Sequence, residues 1–112
     1  MKKIPYKPKQ QSGFGYWGEY NEIPLGLSIG EIAVAEQFTA EKLHWHTKGL
    51  SYFIGLEGTG FVEVNGEEVR LAAKECLEIS PGEKYRVLRG EDLPFRWLVV
   101  CTENVEGEKR EE

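Results

Sequence analysis

His44 and His46 are the only two histidines in the 112-residue chain, and only Trp45 separates them. In an extended strand side chains alternate between faces, so both imidazoles point one way and Trp45 the other. Two rings at that spacing make half a metal site, because neutral imidazole is the commonest metal ligand in proteins. The same pair can instead carry protons, since an ordinary imidazole titrates near ~6.5. Which chemistry follows depends on what other elements bring to the pair.

Those elements read as strands. Residues 28–39 alternate, with Ile32, Val34, Glu36 and Phe38 on one face, and residues 43–46 resume an extended run. Residues 51–56 form a strand that a Gly-rich turn over 57–60 closes. Residues 61–65 and 67–71 pair back through Asn65-Gly66, because a type I′ turn needs positive φ at both central positions. Short strands follow over 76–79 and 84–89, separated by the turn chemistry of Ser80-Pro81-Gly82-Glu83. Residues 90–94 read as a loop and 95–102 as a largely apolar final strand. No window holds a helical period over three turns, so the fold class expected is all-β and antiparallel.

One domain is expected from this length, with three parts: an N-terminal arm over 1–13, flexible or pairing along a sheet edge, a barrel over 14–102, and a charged, solvated C-terminal tail over 103–112. The arm carries four lysines and two prolines in its first eleven residues, which bars it from a central strand. Phe14, Tyr16, Trp17 and Tyr20 follow it, interleaved with glycine, as core, interface or a stacking surface. A formal charge of −5 argues against nucleic acid as a partner. The apolar runs are too short to span a bilayer and no leader-like segment opens the chain, so membrane association is not expected and a cytoplasmic location is. Cys76 and Cys101 show no CxxC spacing and read as buried thiols.

The stretch HWHTKGLSYFIGLEG, followed by KECLEISPGEKYRV, resembles the two sequence motifs of the cupin superfamily over residues 32–100. His44, His46 and Gly58 fall at the intervals of the first motif, and Pro81-Gly82 forms the turn of the second. The resemblance implies a double-stranded β-helix, or jelly roll, that binds a small molecule in its barrel and pairs as a homodimer. Two usual metal ligands are replaced: Ser51, or Leu50 at the shorter spacing, stands for the glutamate, and Tyr85 for the third histidine.

Three readings follow. In the first, His44, His46 and Tyr85, with an acid such as Glu36 or Glu78, hold a divalent metal ion for a metal-assisted reaction on a carbohydrate- or carboxylate-like substrate; zinc, iron, manganese and nickel are not distinguished. In the second the barrel is metal-free, with His44 or His46 as general base and Tyr85 as acid or hydrogen-bond donor, His46 and Tyr85 being the pair expected to isomerise or epimerise a keto sugar. In the third the barrel binds a ligand without chemistry. Ser51 and Arg89 are the expected substrate contacts, Arg89 because alternation puts it on the face of Tyr85, ahead of Arg86 and Arg96.

Overall fold

The computed structural model describes residues 1–11, 15–20, 23, 26–38, 40–103 and 107–112, without the side chains of 9–11, 15–17 and 19. Phe14 and Val105 lie outside the described residues, as do the side chains of Tyr16 and Trp17. The described residues form strands β1 (Tyr6–Gln11), β2 (Gly15–Tyr20), β3 (Ser28–Val34), β4 (His44–His46), β5 (Ser51–Val64), β6 (Glu67–Ala72), β7 (Cys76–Ile79), β8 (Tyr85–Cys101) and β9 (Lys109–Glu111). All pairings are antiparallel: β1, β2, β3, β8, β4 and β9 are neighbours in that order, while β5 pairs with β6, β7 and β8.

Two long strands do what the sequence divides among several. β5 runs through the Gly-rich stretch expected as a turn, because register shifts against β8 at Gly55/Glu57 and Glu57/Thr59 absorb the bend as bulges. Gly58 sits there at φ 66°, and a Cβ would run into the Pro94 and Asp92 carbonyl oxygens. β8 likewise continues through the expected loop over 90–94. At the Asn65-Gly66 hairpin both residues have positive φ, 49° and 82°, and Val64 pairs with Glu67.

The core is Val34, Phe53, Val62, Leu71, Ile79, Tyr85, Val87, Phe95 and Trp97. Its aromatic members follow one another in tilted and edge-on contacts: Phe95 lies 4.7 Å from Trp97, Trp97 5.7 Å from Phe53, and Phe53 5.7 Å from Tyr85. The column gives the polar residues beside Tyr85 a rigid apolar backing.

Both ends of the chain join the sheet. β1 extends it beyond β2, with the Tyr6 ring over Gly18 and edge-on to Tyr20 at 5.4 Å. β9 pairs with β4, so the segment expected in solvent instead covers a strand edge and buries Glu108 to 2% exposure. Among the described residues, no helix is long and apolar enough to cross a membrane.

Candidate functional site

β4 presents His44 and His46 inward, each 6% exposed, and half-buries Trp45 on the other face. β8 brings Tyr85 opposite His44, and the two rings lie 4.2 Å apart. The Tyr85 hydroxyl is 2.9 Å from His46 Nε2. Ser51, fully buried at the start of β5, hydrogen-bonds Tyr85 and lies 3.5 Å from Cys101 Sγ. Four expected site residues, His44, His46, Tyr85 and Ser51, therefore meet.

The group on the far side of His46 was not foreseen. His46 Nδ1 lies 2.6 Å from Glu108 Oε2, while Glu108 Oε1 accepts the amide hydrogens of Lys48 at 3.1 Å and Gly49 at 2.8 Å. The Glu108 carbonyl also accepts from the Thr47 amide and hydroxyl, both at 2.9 Å. Burial would raise the Glu108 carboxyl, but hydrogen bonds from His46, Gly49 and Lys48 outweigh it and hold the group below its usual range. An ionised carboxylate only accepts, so Nδ1 carries the imidazole proton and Nε2 offers its lone pair to the Tyr85 hydroxyl. Tyr85 is itself raised, by burial first and then by negative charge at Cys101, Glu41 and Glu108, with the Ser51 hydrogen bond pulling the other way.

His44 is arranged differently. Its Nδ1 donates to the Lys42 carbonyl at 2.9 Å, and its Nε2 faces Glu41 Oε1 at 4.0 Å. Burial drops the imidazole to about 4, outweighing that hydrogen bond. Glu41 accepts the Val87 amide hydrogen at 2.9 Å, yet burial pushes its carboxyl up to about 7. The site thus sets an ionised carboxylate against His46 and a carboxyl that protonates near neutrality beside His44.

Arg89 stands elsewhere. It is exposed, makes a bidentate pair with Glu68 at 3.0 and 2.7 Å, and lies over the Phe61 ring. The cause is a register shift: Phe61 pairs with Arg89 but Val62 with Val87, so Leu88 is an extra residue and the inward series runs Tyr85, Val87, Gly90. Arg86 and Arg96 pair with Glu63 and Glu31. Glu36 and Glu78 are exposed. Glu41 sits in a segment without strand periodicity and Glu108 in a tract of charges, and only Gly107, at φ 78°, punctuates the approach to β9.

The family model for the cupin domain matches residues 30–101. This chain belongs to the cupin family. A region of 66 residues is 36% identical to the tetracenomycin polyketide synthase protein TcmJ of Streptomyces glaucescens, 59% of the cupin described here and 42% of TcmJ. The cupin thus spans under half of that relative. Among solved structures, Streptomyces Pac13, a nucleoside dehydratase, superposes with a TM-score of 0.83 over 100% of the cupin and 91% of Pac13, at 11% identity. A Pac13 variant with uridine matches at 0.82 over the same shares and the same identity. KdgF from Halomonas sp. matches at 0.72 and 13% identity, over 91% of the cupin and 88% of KdgF. At these identities the likeness shows the shared β-barrel fold.

Proposed function

We propose that this cupin binds a small polar molecule in its barrel and moves protons on it with His46 and Tyr85. The reaction would be isomerisation, epimerisation or dehydration of a carbohydrate- or nucleoside-like substrate. The observation that carries this reading is the run of hydrogen bonds from Glu108 through His46 to Tyr85, at 2.6 and 2.9 Å. When a substrate oxygen takes the Tyr85 hydroxyl hydrogen bond, Nε2 is freed to accept a proton from the carbon beside it. The proton then sits on the imidazolium, whose charge the Glu108 carboxylate offsets. Its return to the neighbouring carbonyl carbon, with the hydroxyl proton passing to the former carbonyl oxygen, completes an isomerisation. Its replacement on the opposite face of the same carbon completes an epimerisation, and its delivery to a hydroxyl departing from the next carbon releases water. The structural likeness to a nucleoside dehydratase supports the dehydration form.

The side chains present do not fit a divalent ion held by His44, His46 and Tyr85. Both His46 nitrogens and the Tyr85 oxygen are engaged with one another and with Glu108, and His44 Nδ1 with a carbonyl. That leaves His44 Nε2 with Glu41 as partner, fewer donors than the three protein ligands of an open Lewis-acid site. No step here runs through a metal.

The test is deuterium incorporation from solvent into a panel of keto sugars and nucleoside aldehydes, followed by mass spectrometry. Wild-type protein should label at least one compound or convert it to a product lighter by one water, and His46→Gln or Tyr85→Phe should slow that reaction by roughly a hundredfold or more. Chelation should leave the rate unchanged. Equal rates in the variants would overturn the assignment, and binding with neither labelling nor loss of water would identify a ligand-binding barrel. Pairing of two copies through the β1 edge, where Tyr6 is 38% exposed and Tyr20 36%, is the assembly we infer. Sedimentation of a monomer at micromolar concentration would exclude it.

A further inference from the structure

Because Arg89 lies outside the site, the cation that would meet a charged ligand must be sought elsewhere. In the β4–β9 ladder Lys109 pairs directly with His46. Residues directly opposite in an antiparallel pair put their side chains on the same face, so Lys109 lies on the face of the inward-turned imidazole. Its flexible stem leaves the ammonium exposed at the rim. Its charge reaches three site groups on different parts of the chain: Glu41 before β4, His44 on β4 and Cys101 at the end of β8.

Among the described residues six other cations are taken; Lys48 and Arg110 are not, but Lys48 lies in the turn after His46 and Arg110 stands opposite the outward-facing Trp45. Lys42 pairs with Glu111 and Lys84 with Glu112, while Arg70, Arg86, Arg89 and Arg96 pair with Glu91, Glu63, Glu68 and Glu31. Lys109 has no ion pair among the described residues. The Lys109 charge works against protonation of His44 and the Glu111 charge, directly opposite His44, works for it; an anion in the site would meet the ammonium at the His46 end of the pair.

We propose that Lys109 is the anion anchor of the site, taking a carboxylate or phosphate group of the ligand on which His46 and Tyr85 act. This rests on the proton-transfer reading above for its catalytic meaning but not for its binding. An ammonium on a flexible stem suits either anion as a point charge, whereas an arginine fork would favour a bidentate partner.

The experiment is an NMR titration of the full chain with inorganic phosphate and, separately, with acetate, at ionic strength matched with chloride. Saturable shifts at the amides of His44, His46 and Lys109 are expected with at least one anion, and which one acts names the group. Lys109→Gln should weaken that binding about tenfold or more, Lys109→Arg should retain it, and Arg89→Gln should leave it unchanged. Equal binding by Lys109→Gln, or shifts no larger than chloride gives, would overturn the anchor. His46→Gln should bind the anion while losing deuterium exchange. Should His46→Gln still exchange while Lys109→Gln loses the anion, the proton-transfer reading fails and the anchor stands.

Discussion

A carboxylate has two oxygens, and at Glu108 three N–H donors converge on them, from His46, Lys48 and Gly49. Glutamine cannot replace it, because its one oxygen serves one side while its amide turns two hydrogens toward another donor. Glu108→Gln is expected to cost about 2 kcal/mol, read as a fall in Tm of roughly 10 °C by thermal denaturation. An unchanged Tm would mean that the carboxylate does not accept all three. Residue chemistry was legible where the pattern was local: His44, His46 and Tyr85 could be picked out by type and interval. Glu108, 62 residues beyond His46, could not, since a glutamate in a charged tract carries no mark of the imidazole it will meet. Arg89 failed for the opposite reason. Strict alternation was extended across a bulge that the extra Leu88 inserts, and one unpaired residue turns over the side chains that follow until a further register shift returns Phe95 and Trp97 to the inner face.

The strands show what a glycine signal can and cannot say. Positive φ serves a hairpin and a bulge alike, so Asn65-Gly66 was rightly read as a turn and the Gly58 region wrongly, although both leave the same trace in sequence. What separates them is the partner strand: Gly58 lies against the Pro94 and Asp92 carbonyls, whereas a Cβ on Gly66 meets nothing within 4 Å. Gly58→Ala should therefore destabilise by about 3 kcal/mol in urea denaturation, and Gly66→Ala by less, its cost confined to backbone strain. Equal losses would show that crowding at the bulge is relieved elsewhere. β9 belongs to this level too. Ending the chain after residue 107 removes the acceptor at His46 Nδ1 and the neighbour of β4, and should abolish labelling while the far-UV spectrum of the barrel persists. A truncated protein that still labels substrate would show that Glu108 is dispensable.

At the scale of the molecule, buried His44 and half-buried Glu41 bend the pH dependence of stability in opposite senses. His44 titrates at about 4 when folded against 6.5 when free, so its unfolded form holds more protons and stability rises from pH 4 to 6.5. Glu41 titrates at about 7 against 4.5, so its folded form holds more and stability falls from pH 4.5 to 7. Glu108, held below its usual range, adds a rising slope only at the acid end of that window, where the unfolded carboxyl is still part-protonated. The two slopes cancel over much of the range in the wild type. Glu41→Gln should uncover the rising limb, and its stability minus the wild type's should climb by up to about 1 kcal/mol per pH unit between pH 4.5 and 7. A pH-independent difference would place Glu41 in solvent. The overall architecture was the most legible layer, because hairpin signals and apolar alternation recur along the chain and each strand need agree only with its neighbours.

The order in which the carboxylate and its imidazole are made also matters. The ribosome adds His46 62 residues ahead of Glu108, and every residue of the core precedes that carboxylate in the chain. Translation that halts before that codon yields an imidazole with no acceptor, however much of the barrel has emerged. Competence in this cupin waits on a single late-made carboxylate.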